Sequence, residues 1–162
     1  MLVLRDLGPA ISSFNAFLIL TGLETLPLRM QRHCDNAVTV AGWLSNHPKV
    51  AWVNYPGLPS DKNNALQKKY SPLGAGAVFT FGLKGGYEAG VKFVEALELF
   101  SHLANVGDTK SLVIHPASTT HRQLSDEQKV KAGAGPDTVR LSIGIEDVTD
   151  IVADLEQALA KV

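Results

Sequence analysis

Arg140 is the residue of this sequence whose surroundings most constrain its chemistry. It stands inside Val139-Arg140-Leu141-Ser142-Ile143, an otherwise apolar, strand-like run. A guanidinium there is costly unless it meets an anion, either a carboxylate side chain or a bound ligand. Its planar fork suits a small carboxylate, gripped through two parallel hydrogen bonds. The alternative is an outward-facing strand residue paired with Glu146 or Asp137. Two more polar islands sit at strand ends, Asn105-Val106-Gly107-Asp108-Thr109-Lys110-Ser111 and His115-Pro116-Ala117-Ser118-Thr119-Thr120-His121. His115 and His121 invite a metal or acid–base role. Six positions apart with Pro116 between them, they do not share a helical face, and no third ligand is near. They read as hydrogen-bonding loop histidines. Lys110 follows a threonine, as Schiff-base lysines often do, but polar neighbours on both sides offer no apolar pocket to depress its pKa. It reads as solvated. Cys34 falls on an apolar seam and reads as a small core residue rather than a nucleophile.

Positioning these islands requires a sheet, and the sequence supplies its parts. Ser12 or Ser13 can cap a helix beginning with Phe14. Pro27 suits the first turn of a second helix, in which Met30, Cys34, Ala37, Ala41 and Leu44 form a narrow apolar seam, with Arg29, Arg32, Asp35 and Asn36 mostly off it. His47-Pro48 ends it. Residues 1–48 are therefore expected to be a helical arm, and 49–162 an α+β domain. In that domain Val50 to Val53, Ala77 to Phe81, His102 to Asn105, Leu112 to Ile114 and Val139 to Ile143 read as strands. Ser60 or Asp61 should cap a helix through Tyr70. Tyr87, Val91, Val94 and Leu97 mark a second helix, and Ser125 with Gln128 makes a capping box for a third. Asp147 caps a last helix whose stripe is Val148, Ile151, Val152, Leu155 and Leu159. The order is β-α-β-α-β-β-α-β-α. It predicts an α+β fold: a small, largely antiparallel sheet with helices on one face, preceded by a long helical arm.

Composition removes several function classes. Fifteen basic and sixteen acidic residues give a net charge of −1, so no basic excess drives phosphate-backbone binding and nucleic acid is not an expected partner. The single cysteine supports neither an internal disulfide nor a zinc cluster, and fits a reducing compartment. Met1 to Leu4 runs at once into Arg5 and Asp6, unlike a targeting signal. Phe14 to Leu26 is broken by Asn15, Thr21, Gly22, Glu24 and Thr25, short of the ~18 apolar residues of a membrane span. A soluble, cytoplasmic protein is expected. No Gly-x-Gly-x-x-Gly follows a strand and no Walker loop occurs, so a self-contained nucleotide-binding domain is disfavoured.

Taken together, the islands resemble a known family. Residues Asn105 to His121, Val139 to Asp147, and Pro9 to Leu18 running into Gly22 to Met30 are similar to the C-terminal domain of the pyridoxal-phosphate-dependent enzymes of cysteine and methionine metabolism. The sulfhydrylase branch acting on O-acetylhomoserine is the nearest in pattern; cystathionine- or methionine-cleaving members usually carry a serine where this chain has Asn105. The resemblance runs the whole length and implies the C-terminal domain of a fold-type I enzyme. It also implies a substrate-binding role: Arg140 on the substrate α-carboxylate, Asn105 hydrogen-bonding near it, and Thr120 holding Arg140 or reaching the same carboxylate. The implied reaction is γ-replacement of acetate by sulfide or a thiol on an O-acetylhomoserine-type amino acid.

The family's Schiff-base lysine, pyridine-facing aspartate, stacking tyrosine and phosphate loop belong to a cofactor-binding half not found in these residues. The resemblance therefore implies no catalytic, cofactor-binding or metal residue in this chain. It further implies pyridoxal phosphate held mainly by the missing half, no activity of the chain alone, and a homo-oligomer. Two other readings of the residues stay open: a free-standing module that binds amino acids through Arg140, and an interaction domain whose arm docks a separate N-terminal half.

Overall fold

The computed structural model describes residues 6–8 and 10–162; the readings placed on Met1 to Arg5 and on Pro9 lie outside them. Helix α1 (Ser13–Glu24) is capped by Ser12, whose hydroxyl accepts the Asn15 N–H at 3.2 Å. A kink at Thr25 leads into α2 (Leu26–Ser45), which has a proline in its first turn. Arg29 fixes this corner, donating to the Gly22 carbonyl at 2.6 Å and to the Thr25 hydroxyl at 3.3 Å.

After the arm come β1 (Val50–Asn54), α3 (Asn64–Tyr70), β2 (Val78–Leu83), α4 (Gly86–Ala96), β3 (Ser101–His102) and β4 (Leu112–Ile114). A 3₁₀ turn (Pro116–Ser118), α5 (Asp126–Lys131), β5 (Thr138–Ser142) and α6 (Val148–Ala160) complete the order. The expected sequence of elements is the observed one. The five strands lie in the order β1-β2-β5-β4-β3. β1–β2, β2–β5 and β5–β4 are antiparallel and β4–β3 is parallel, so the sheet is mixed.

Period-two alternation sorts the strand residues into two faces. Phe79, Phe81 and Leu83 of β2, Val113 of β4 and Val139 and Leu141 of β5 are buried in the main core with α2, α4 and α6. Phe81 and Phe93 meet edge to face at 5.7 Å, a favourable quadrupole geometry. Trp52, Asn54, Thr80, Arg140 and Ile114 occupy the other face. Gly82 belongs there too: a Cβ on it would run into the Trp52 indole, which lies across the sheet at that point.

Several local expectations are corrected. The buried residues of α2 are His33, Asn36, Ala37, Val40, Ala41 and Leu44, so Asn36 lies on the seam rather than off it. The reason is polar satisfaction. Asn36 Nδ2 donates to the Gly144 and Glu146 carbonyls at 3.0 and 2.9 Å, and His33 Nδ1 lies 2.6 Å from the Ile143 carbonyl. These two side chains pair the carbonyls of buried Ile143 and Gly144 in the β5–α6 connection, and the Glu146 carbonyl is shared with Arg32, whose Nη2 donates to it at 3.3 Å. Residues of α2 share the core with the sheet, whereas no residue of α1 is buried.

Helix α3 starts at Asn64 because Asp61 is used elsewhere, accepting the Asn63 and Tyr55 N–H groups. In α4 the buried residues are Ala89, Gly90, Phe93 and Val94, so Tyr87 and Val91 look away from the main core. Strand β3 spans only Ser101–His102. Asp154 of α6 accounts for the preceding turn by accepting the Glu98 and Leu99 N–H groups, both at 2.9 Å.

Candidate functional site

Strand β5 places Arg140 between Thr80 of β2 and Ile114 of β4, on the face away from α2, α4 and α6. Loops between β4 and β5 partly cover this face. Together they enclose a groove of about 400 Å³, lined by Arg140, Thr80 and Ile114, by Ala104, by Pro116, Thr120 and His121, and by 132–134. The groove gathers parts of all three polar islands, or their immediate neighbours, around one guanidinium.

The expected protein partners of that guanidinium are otherwise engaged. Asp137 accepts the Trp52 indole N–H at 2.8 Å. Glu146 accepts both the Ser111 N–H, at 2.6 Å, and the Ser111 hydroxyl, at 3.0 Å. Among the described residues Arg140 forms no ion pair, and it donates from Nη2 to the Asn105 carbonyl at 3.3 Å. A guanidinium has five N–H donors, so most of its capacity faces the groove unspent. The reading of Arg140 as a strand residue paired with Glu146 or Asp137 does not hold.

Asn105 and Thr120 are brought close but not onto the guanidinium through their side chains. The Asn105 side chain accepts its neighbour's N–H, from Val106 at 2.8 Å, and its carbonyl is what meets Arg140. The turn that follows uses Gly107 at φ +74°, a backbone region costly for residues with a Cβ. The Thr120 hydroxyl bonds His121 Nδ1 at 2.9 Å rather than Arg140. Sequence reasoning missed Thr80 and Ile114 as groove residues; strict alternation opposite Arg140 was the signal that could have found them.

His115 is fully buried and doubly hydrogen-bonded, with Nε2 2.9 Å from the Pro136 carbonyl and Nδ1 2.9 Å from the Ser118 hydroxyl. Burial pushes its pKa below the usual histidine value, against the opposing pull of the Pro136 carbonyl and nearby Asp137. The network assigns the neutral tautomer that donates from Nε2 to Pro136 and accepts from Ser118 at Nδ1. It is a hydrogen-bonding histidine, as expected for a loop. Tyr55 is likewise pushed upward by burial, its hydroxyl donating to the Gly76 carbonyl at 2.8 Å.

Amines and carboxylates do not converge on the groove: among the described residues none of its lining side chains is a lysine, aspartate or glutamate. Lys110 is exposed in its loop. Lys49 caps α6 through the Leu159 carbonyl at 2.7 Å, and Lys84 donates to the Pro48 carbonyl at 2.7 Å. The groove can therefore bind and orient an anion, but it holds no residue that could form an imine or face a pyridine nitrogen.

Comparison with known proteins follows the same lines. Residues 1–160 match the family described as Cys/Met metabolism PLP-dependent enzyme. The chain is 59% identical over 160 residues to an O-acetyl-L-homoserine sulfhydrylase of Leptospira meyeri, covering 98% of this chain and 36% of that protein. It is 55% identical to O-acetyl-L-homoserine sulfhydrylase 1 of Thermus thermophilus, covering 97% and 37%. A crystal structure from Campylobacter jejuni, described as an O-acetylhomoserine (thiol)-lyase with N'-pyridoxyl-lysine-5'-monophosphate, superposes with a TM-score of 0.87 at 47% identity. That match covers 97% of this chain and 37% of the other. The chain thus spans about a third of the length of the curated relatives it matches.

Proposed function

The chain belongs to the pyridoxal-phosphate-dependent enzymes of cysteine and methionine metabolism, and from that membership we propose that it is the substrate-binding part of an O-acetylhomoserine sulfhydrylase-type transferase. In this reading Arg140 grips the α-carboxylate of an O-acetylhomoserine-type substrate through its two parallel N–H donors. Asn105 and Thr120 line the approach to that carboxylate. The complete enzyme would replace the γ-acetate by sulfide or a thiol. The observation that carries the reading is the guanidinium itself, set in a groove and paired with no carboxylate among the described residues.

The residues present do not fit the cofactor. No described lysine is buried, and the groove's described lining offers no carboxylate for a pyridine nitrogen. In this reading pyridoxal phosphate is held mainly by the part of the enzyme that these residues do not span, and the chain alone is inactive. Helix α1 supports a missing neighbour. Phe14, Phe17 and Leu18 lie along one side and Ile19, Leu20 and Leu23 along the opposite side, all at least half exposed. A helix apolar all round belongs in the interior of a larger assembly or a membrane; no described helix is long and apolar enough to cross one. We read α1 as packing against the cofactor-binding half or a second copy, in a cytoplasmic homo-oligomer.

The test is an exchange. This chain would replace the matching segment of the Leptospira meyeri relative, and the purified hybrid would be assayed with O-acetyl-L-homoserine and sulfide. A functional hybrid whose KM for the amino acid rises at least tenfold on Arg140→Lys is expected. A hybrid that turns over normally with Arg140→Lys would overturn the carboxylate assignment, and turnover by the chain alone would overturn its proposed inactivity.

A further inference from the structure

The two loops lining the groove are joined by a side chain that does not itself line it. His115 follows Ile114 at the end of β4, in extended conformation. By alternation its ring projects to the face opposite Ile114 and Arg140, and there it meets α4. The ring stands edge-on to Tyr87, with centroids 5.1 Å apart, and lies so close to Gly90 that a Cβ at that position would approach it to 2.6 Å. From this fixed seat its two nitrogens reach two different segments. Nε2 bonds the carbonyl of Pro136, in the segment that follows groove residues 132–134. Nδ1 bonds Ser118, in the turn that leads to Thr120 and His121. The His115 carbonyl also accepts the Thr119 hydroxyl, at 2.8 Å.

We propose that His115 is a positioning residue for substrate binding, a strut behind the sheet that sets the separation of the 116–121 and 132–136 segments on either side of the Arg140 groove. The proposal rests on reading that groove as the substrate site. His115 does not line the groove, so it acts through the loops and not on the substrate. Its two bonds are shared between two chain segments. Removing them should therefore loosen both groove-lining loops while leaving the β-sheet intact.

The hybrid enzyme provides the test. His115→Phe keeps the ring against Tyr87 but loses both hydrogen bonds. It should raise KM for O-acetyl-L-homoserine about tenfold with kcat changed less than about threefold, the signature of lost binding rather than lost chemistry. His115→Gln places an amide nitrogen where Nε2 lies and should recover most of the lost affinity. Ser118→Ala, a mild change in a loop, should raise KM about twofold to threefold and serves if His115→Phe does not fold. A purely structural histidine would lower the melting temperature and the yield of active enzyme without moving KM. An unchanged KM in His115→Phe, or in Ser118→Ala where the first variant fails to fold, overturns the proposal, as does a glutamine variant no better than phenylalanine. Arg140→Lys separates the two levels. If it raises KM while His115→Phe does not, the strut alone is wrong; if Arg140→Lys has no effect, the groove itself is misassigned.

Discussion

The two faces of the sheet are built from the same strands but follow opposite rules. On one, Phe79, Phe81, Val139 and Leu141 are closed over by three helices and every buried aromatic has an apolar neighbour. On the other, Arg140 sits among Thr80, Ile114 and loop residues, and among the described residues it donates to a backbone carbonyl and to no carboxylate. One face is occupied by its own chain; the other keeps its strongest hydrogen-bonding group in reserve. If the proposed role of Arg140 holds, stability and binding are carried by alternate residues of a single strand, and neighbouring positions should fail in different ways.

That contrast can be broken most sharply at adjacent residues of β5. Leu141→Ala, on the covered face, should cost about 2–5 kcal/mol of stability through lost burial and the cavity it leaves. Chemical denaturation of the chain measures it, and a loss below about 1 kcal/mol would mean the core is looser than its packing. Arg140→Lys, one residue away, should leave the denaturation midpoint nearly unchanged while raising the hybrid's KM at least tenfold, because a point charge cannot reproduce a bidentate grip. Asn105→Ala should have a smaller effect on the same step, about 0.5–1.5 kcal/mol or roughly twofold to tenfold in KM, having only a neutral hydrogen bond to lose. Titration of KM with both variants orders the two residues, and an Asn105 effect larger than that of Arg140 would invert the assignment.

The smallest effect expected is a dependence of stability on pH at the strut. Burial holds the His115 pKa below its unfolded value, so the unfolded chain takes up a proton more readily. This contribution is fully present above the ordinary histidine pKa, near 6.5, and is lost as pH falls through that value toward the lower folded one. Melting temperatures at pH 7.5 and 5.5 should therefore differ, with the acid value lower, and His115→Gln should narrow the gap. An equal gap in the variant would place the acid sensitivity elsewhere.

Much of the scaffold was legible along the chain. The caps at Ser12, Ser125 and Asp147 depend on a side chain and N–H groups within three residues, and all three form. The oddity of Arg140 in an apolar strand was equally visible, since alternation and charge are local properties. Less visible was which apolar face α2 would bury. His33 and Asn36 are polar and nothing in their spacing marks them as buried, yet they go inside because carbonyls more than a hundred residues away need donors. In α4 the same limit applies: Tyr87 and Val91 have helical spacing, but the core is reached through Ala89, Gly90, Phe93 and Val94.

The residues by themselves determined the element order, the capping and the strand that carries Arg140, because each depends on composition and spacing over short stretches; the family was legible only as a resemblance of whole motifs. Only the tertiary structure decided that Arg140 has no carboxylate partner among the described residues. Trp52 lies 85 positions from the Asp137 it engages, and Ser111 lies 35 positions from Glu146. Those pairings remove both competing anions from the guanidinium, and they exist only once strands distant in sequence have been brought into register. The reach of His115 to Pro136 across the ends of β4 and β5 has the same origin. A side chain's type is local, but what it is left free to bind is set by which distant groups the fold has already paired.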